Sequence, residues 1–430
     1  MERTLEERLA VPAAVLGVVR TLEDAGFETW TVGGAVRDGV LGRPGSDWDL
    51  ATRARPRDVQ RLFRRTIPVG IDHGTVGVLP RGGRLVEVTT FRRDVVPLGR
   101  RAVVEFADTI EDDLARRDFT INALAWHPLR LELRDPFDGL ADLRGRRLRA
   151  VGDADQRFVE DHLRILRALR FAGRFRLTVD ADTWDALVRR RDATRDLSAE
   201  RIREELLKIV GADPRPSRAL GLYRASGLLA ALFPELDAAF ASRGPGAWTH
   251  AVGLADRLSR RDPLLRLAPL LAPLHAWGGG ESVVTFLTRL RFSNADTDRL
   301  VRLTRGAGAL PAADGAGAAR RRWLHRAGPE AAALLAWSLA EARLAHDMDA
   351  TTARDTVARV CALRRALRAR PVLTVGGLAV GGRDLIQRGL KPGPGFAQLL
   401  ERLLEQVLDD PAANDRETLL RFVDTWTEDA

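Results

Sequence analysis

Gly33-Gly34-Ala35-Val36-Arg37-Asp38 and, a little further on, Gly45-Ser46-Asp47-Trp48-Asp49-Leu50 decide how the N-terminal part of this 430-residue chain folds. Residues 27–32 before them predict a strand, the two glycines a turn, residues 35–41 a short helix, and residues 48–51 the end of a second strand. Side chains on a strand alternate, so Asp47 and Asp49 project from one face with Trp48 on the other, and two carboxylates so placed can share a divalent cation. Alone, an Asp-x-Asp triplet is weak evidence, because surface loops contain many. The preceding motif strengthens it. Glycines let backbone amides approach a polyphosphate, a helix start adds a positive dipole end, and Arg37 can clamp phosphates. A phosphate pocket beside a metal pair describes nucleotidyl transfer, in which cations activate an attacking hydroxyl and neutralise the leaving pyrophosphate. No Walker-type Gly-Lys-Ser/Thr occurs, which excludes a P-loop protein.

Working outward, residues 76–79 and 85–90 predict strands around the turn Arg81-Gly82-Gly83, so residues 1 to about 150 form an α+β region. From Asp155 onward strand signals almost vanish. Apolar residues recur at helical spacing through residues 219–232, 264–275, 330–344 and 351–367, and the rest of the chain is expected to be mostly helical. Breaks are expected at Gly244-Pro245-Gly246, at Gly278-Gly279-Gly280 and in the Ala/Gly-rich residues 306–317.

With 45% hydrophobic and 30% charged residues, the chain has apolar material for two to four cores. Lys and Arg total 68 against 59 acidic residues, a net charge of +9; only Lys208 and Lys391 are lysines, leaving 66 arginines. Arginine offers a planar fork matched to phosphates and base edges, so an anionic partner is one reading; a genome that writes Arg for Lys everywhere is the other. One cysteine, Cys361, and two methionines exclude a disulfide framework and a thiolate metal cluster. The N-terminus is charged from its second residue and no run of about 18 apolar residues follows, so neither a signal peptide nor a membrane span is expected. A cytoplasmic protein is the expectation.

Two further constellations matter. In Arg116-Arg117-Asp118-Phe119-Thr120-Ile121-Asn122-Ala123-Leu124 the paired arginines suit a triphosphate, while Asp118 and Asn122 suit a ribose hydroxyl if this is a helix start. A capped helix with a charged first turn explains the same residues. In Glu160-Asp161-His162-Leu163-Arg164-Ile165-Leu166-Arg167-Ala168-Leu169-Arg170-Phe171, charged residues at every third position spiral slowly around a helix. Asp161 beside Arg164 sets an acceptor next to a donor fork. That complements the edges of cytosine and adenine, which present an amine donor next to a ring-nitrogen acceptor, and mismatches guanine and uracil. A surface ion pair is the plainer alternative.

These segments, with Glu87-Val88-Thr89-Thr90-Phe91-Arg92, Asp135-Pro136-Phe137-Asp138-Gly139, Arg149-Ala150-Val151-Gly152-Asp153 and the late Gly389-Leu390-Lys391-Pro392-Gly393-Pro394, resemble the class II tRNA nucleotidyltransferase and poly(A) polymerase family. The resemblance implies a polymerase-beta-like nucleotidyltransferase head at 1–150, followed by an all-helical neck at 151–215, body at 216–370 and tRNA-binding tail at 371–430. It implies addition of all or part of CCA to the 3′ end of tRNA from CTP and ATP, with no nucleic-acid template. By position, Asp47 and Asp49 would hold magnesium and activate the tRNA hydroxyl. Gly34, Arg37 and Arg117 would contact the nucleotide, with Asp118 and Asn122 near its sugar. Asp161 and Arg164 would read the base, and Arg167 and Arg170 would support that pocket or the triphosphate. Glu87 stays open as a third carboxylate, and His73 reads as structural.

The chain departs from the family pattern in two places. The His and later His-Asp pair of a metal-dependent phosphohydrolase domain, carried by many bacterial members, is broken: His250 is followed by Leu274-His275-Ala276. His346-Asp347 has no partner signal, so a degenerate region that supports RNA is expected. Residues 93–103 lack the usual Tyr-Ser-Asp-Gly stretch of a loop that serves the switch from C to A. CC-only and A-only activities therefore stay open, beside a poly(A) polymerase and, outside the class, an inactive RNA-binding protein.

Overall fold

The structure is a computed structural model that describes residues 4–43, 47–70, 74–94, 104–306, 308–345 and 349–428. Residues 1–205 with 218–233 make one compact unit, and residues 206–217 with 234–430 make a second. The four-part division expected from sequence is finer than these two units.

The first unit opens with helices α1 (Leu5–Arg8) and α2 (Ala13–Asp24), then β1 (Thr29–Val32), α3 (Gly34–Val40), β2 (Asp49–Thr52) and α4 (Pro56–Leu62). Strands β3 (Thr66–Gly70), β4 (Thr75–Val78), β5 (Val86–Thr90), β6 (Arg92–Asp94) and β7 (Val104–Phe106) follow, then α5 (Ile110–Ala115), a 3-10 turn at Thr120–Asn122, β8 (Ala125–His127) and β9 (Glu132–Arg134). Seven of these strands form one sheet in the order β3-β4-β5-β2-β1-β8-β9, and only β2 and β5 run parallel. Every residue of β1 is buried because both faces of the sheet centre are covered. On one face Leu50, Val76, Val78, Val86 and Val88 pack with Val15, Val18, Val19 and Leu22 of α2. On the other, Trp30, Val32 and Ala51 pack with Phe91, Ile110, Leu114 and Ala125.

After the sheet come α6 (Gly139–Arg144), β10 (Arg147–Leu148), α7 (Ala154–Glu160), α8 (Leu163–Phe175), β11 (Thr178–Val179), α9 (Ala181–Arg190), α10 (Ala199–Ala212), α11 (Pro216–Ala225) and α12 (Leu228–Leu232). Strand β11 lies beyond the point where sequence predicts only helices. It is two residues long and pairs parallel with β10, too short to leave a period in the sequence. The second unit is helical in its described residues. Its long segment Pro263–Arg289 leaves helical geometry at Gly278 and Gly279 (φ 67°), where the three glycines predict a break. His250 bonds Glu341 at 2.9 Å and His275 meets the Thr304 hydroxyl at 3.3 Å, so both histidines have ordinary side-chain partners; His346 and Asp347 lie outside the described residues. Among the described residues no helix is long and apolar enough to cross a membrane.

The segment Asp135-Pro136-Phe137-Asp138-Gly139 supports the 3-10 turn that carries Asn122. The Asp135 carboxylate accepts from the Gly139 and Leu140 amides at 2.6 and 2.9 Å, closing the start of α6. A Cβ on Gly139 would lie 2.2 Å from the carbonyl oxygen of Thr120, so only glycine lets the two backbones approach this closely. Gly139→Ala is expected to cost about 1–3 kcal/mol through overpacking and to lower Tm in thermal unfolding. A wild-type Tm would show that the turn yields without strain.

Candidate active site

Strand register settles where the carboxylates point. Val32 pairs with Asp49, Ala51 with Thr89, and Gly77 with Glu87, so Asp49 and Glu87 lie on one face of adjacent strands while Leu50 and Val88 enter the core behind them. Asp47 and Asp49 are exposed and Trp48 between them is buried, the alternation expected of the triplet. The three carboxylates interact. Desolvation in the cavity and the charge of Glu87 push Asp49 up to about 6, with Asp47 adding and Arg117 opposing. Asp49 keeps much of its surface accessible, but that surface opens into a concave cleft, where protein atoms displace part of the hydration shell. Among the described residues no three His, Cys, Asp or Glu side chains close into a metal cage. A cation held by Asp47 and Asp49 would complete its shell with phosphate and water, as magnesium ordinarily does.

The cavity in front of these acids is about 640 Å³ and is lined by Gly34, Arg37, Asp49, Glu87, Arg117, Asp118, Asn122 and the first face of α8. At its centre is the side-chain amide of Asn122. Its Oδ1 accepts from Arg37 Nη1 at 2.6 Å, and its Nδ2 donates to Asp118 Oδ1 at 2.9 Å. Its backbone carbonyl accepts from Arg117 Nη1 at 3.3 Å. Asp118 Oδ2 in turn holds Arg167 at 2.6 Å. Burial alone would raise the Asp118 carboxyl, but Arg167, Asn122 and the Phe119 amide bring it below its ordinary value. Asp118 and Asn122 are thus neighbours through a direct hydrogen bond across a 3-10 turn, not through the helix start that their spacing suggests.

Each remaining arginine of the expected set has named partners. Arg37 is buried, bonds Asp38 at 2.8 Å and stacks 4.4 Å above the Phe175 ring. Arg116 and Arg117 both close on buried Asp113, at 2.9 and 3.0 Å. Along α8, Arg164 donates to Glu160 at 2.7 Å and to the Arg116 carbonyl at 3.0 Å, and Arg170 donates to buried Glu205 at 2.5 Å. Asp161 accepts from the Leu163 amide at 3.1 Å and from Arg201 at 2.8 Å. Glu87, left open as a third carboxylate from sequence, lines the site, and Asp113, Glu205 and Arg201 join it without having been assigned to it. Asp113 had a signal, sitting three and four residues before the arginine pair on α5; Arg201 had none. His73 and residues 95–103 lie outside the described residues.

The cavity thus gathers Asp49 and Glu87 of the sheet, Arg116 and Arg117, and the arginines of α8 around the Gly33-Gly34 backbone. Comparison with known proteins gives matches across nearly the full chain. Residues 29–149 match the family model "Poly A polymerase head domain", residues 176–240 match "Probable RNA and SrmB- binding site of polymerase A", and residues 279–423 match a tRNA nucleotidyltransferase domain 2. The CCA-adding enzyme of Geobacillus stearothermophilus is 35% identical over 426 residues, covering 95% of this chain and 95% of that protein. That of Latilactobacillus sakei is 34% identical over 421 residues, covering 95% and 97%. The crystal structure of the Bacillus stearothermophilus CCA-adding enzyme in complex with CTP superposes with a TM-score of 0.76 at 31% identity, covering 97% of this chain and 98% of that one.

The crowding of acids has a measurable consequence. A carboxyl whose folded pKa is raised to about 6 removes stability as pH climbs from its unfolded value toward 6, and the cost persists above that. In chelator-containing buffer Asp49→Asn is therefore expected to raise Tm at pH 7.5, with the gap narrowing toward pH 5. Thermal unfolding across that range checks it; a variant no more stable than wild type at pH 7.5 removes the repulsion argument.

Proposed function

The chain belongs to the class II CCA-adding enzyme family, and we propose that it extends the 3′ end of tRNA with nucleotides from CTP and ATP by metal-dependent transfer at Asp47 and Asp49. The observation that carries this reading is the set of mutually repelling carboxylates facing an arginine-lined cavity. Magnesium, when bound by Asp47 and Asp49, supplies a lowered pKa for the attacking hydroxyl and charge neutralisation on the triphosphate. The chain's own residues do the positioning. Gly34 and Arg117 flank the place where phosphates meet the acids. Arg37, buried and bonded to Asp38 and Asn122, acts there mainly by fixing its neighbours. Asp118 and Asn122 set the floor near the sugar, and Arg167 locks Asp118 to α8. Arg170, bonded to Glu205, supports that helix from behind.

Base choice is assigned to Asp161 and Arg164. Arg164 is held by Glu160 and by the Arg116 carbonyl, and Asp161 by Arg201, so donor and acceptor are set before a base arrives. A preset donor beside a preset acceptor accepts the edges of cytosine and adenine and leaves a donor facing a donor for uracil and guanine. Such addition belongs to the cytoplasm, where tRNA and nucleotides meet.

Offering tRNA, tRNA-C, tRNA-CC and an unstructured RNA with labelled CTP or ATP separates complete CCA addition from CC-only, A-only and poly(A) activity. Completion to CCA is expected, and no incorporation of either nucleotide with magnesium present overturns the proposal. Asp49→Ala is expected to abolish addition with tRNA affinity largely unchanged, so near wild-type turnover refutes the metal assignment. Arg164→Ala is expected to relax discrimination against UTP by about tenfold, the scale of one lost charged hydrogen bond. Unchanged discrimination counts against the protein reading the base.

A further inference from the structure

Helix α8 places a fourth arginine in the cavity wall. Residues seven apart on a helix fall almost on one line, so Arg174 lies below Arg167 and, one turn on, beside Arg170; all three line the cavity that holds Gly34 and Asp49. Arg174 differs from its neighbours in one respect. Arg164 donates to Glu160, Arg167 to Asp118, Arg170 to Glu205, and Arg37 to Asp38. Arg174 is half-buried with its guanidinium 5.2 Å from the Phe175 centroid, and it has no acidic partner among the described residues.

That ring is crowded with positive charge. Arg37 stands 4.4 Å and Arg43 5.0 Å from the same centroid, and among the described residues only Arg37 of these three has a carboxylate beside it. Burial lowers the proton affinity of Arg37, and the charge of Arg174 lowers it further, so the two cations oppose each other across the cavity end. A phosphate oxyanion between them removes the repulsion and meets the Arg174 guanidinium fork, which no carboxylate among the described residues occupies. Asp49 and Arg117 lie beside Gly33 and Arg37 lies beside Gly34, so an α-phosphate placed at Asp49 for transfer leaves the rest of the triphosphate to follow the glycine turn toward Arg37 and, beyond it, Arg174.

We propose that Arg174 binds the β- and γ-phosphates of the incoming nucleoside triphosphate, an assignment that rests on the nucleotidyl transfer proposed above. Because it touches no base, it serves CTP and ATP alike.

The test compares wild type, Arg174→Ala and Arg174→Lys in two measurements: calorimetric binding of CTP and of CMP, and KM values for CTP, ATP and tRNA. Arg174→Ala is expected to weaken CTP binding about tenfold, the scale of one charge-assisted contact, and to raise KM for CTP and ATP by the same factor. CMP binding and KM for tRNA are expected to stay at wild type, and Arg174→Lys to recover most of the loss. Equal losses for CMP and CTP would mean that the pocket has collapsed, and they overturn the assignment. A change confined to the KM for tRNA makes Arg174 an RNA-backbone contact and overturns it too. Unchanged CTP binding in Arg174→Ala, with wild type active, sinks this inference alone; wild-type protein that incorporates no nucleotide sinks the activity and this inference together.

Discussion

The amide of Asn122 joins three segments that the sequence encodes far apart. Its oxygen takes a hydrogen from Arg37 on α3, its nitrogen gives one to Asp118, and Asp118 passes the connection to Arg167 on α8. The donors and acceptors leave one orientation for the amide, since turning it over would set NH₂ against guanidinium and oxygen against carboxylate. All of these groups except Arg167 are buried, so removing any of them leaves a polar atom unsatisfied, at a cost of about 1–3 kcal/mol. The glycine turn, the 118–122 segment and helix α8 are therefore tied together by one chain of hydrogen bonds. A nucleotide that spans them meets a surface already assembled.

That surface is electrostatically asymmetric. The arginines lining the cavity are mostly neutralised from within, as Asp113 does for Arg116 and Arg117 and Glu205 does for Arg170. In the sheet wall, desolvation and the charges of Glu87 and Asp47 instead raise the proton affinity of Asp49. Folding alone does not relieve them, because the register of β2 and β5 puts Asp49 and Glu87 on the same face whatever their charge. The stability lost there is available to any cation that binds, and a metal site proposed on so few ligands would gain affinity in this way.

What sequence could read follows from the range of each interaction. Strand alternation is local, so the common exposure of Asp47 and Asp49 around buried Trp48 was legible. The slow spiral of charges on α8 was legible for the same reason, and Arg164, Arg167 and Arg170 do turn to three different partners. The direction of Glu87 was half legible. Its buried neighbours Val86 and Val88 give the phase of the strand, but only the parallel pairing of β5 with β2 brings it to Asp49. Arg201 on α10 reaches back forty positions to Asp161, and no local pattern announces such a contact. Asp118 and Asn122 meet for a reason other than helical spacing: a 3-10 turn brings them close and a side-chain hydrogen bond keeps them there.

The 66 arginines are then of two kinds. Arg266, fully buried in the second unit, gives its hydrogens to the carbonyls of Val210, Asp213, Pro214 and Ala255 at 2.6–3.0 Å and touches no phosphate. A lysine could not replace it, because three hydrogens on one nitrogen cannot reach four carbonyls spread around a plane. The same property that makes arginine a phosphate ligand makes it an internal strut, so its abundance says little about function. What separates the two uses is the counter-charge. An arginine already matched to a carboxylate or to several carbonyls is part of the frame, and one left facing a cavity with only an aromatic ring beneath it has its ligand still to come.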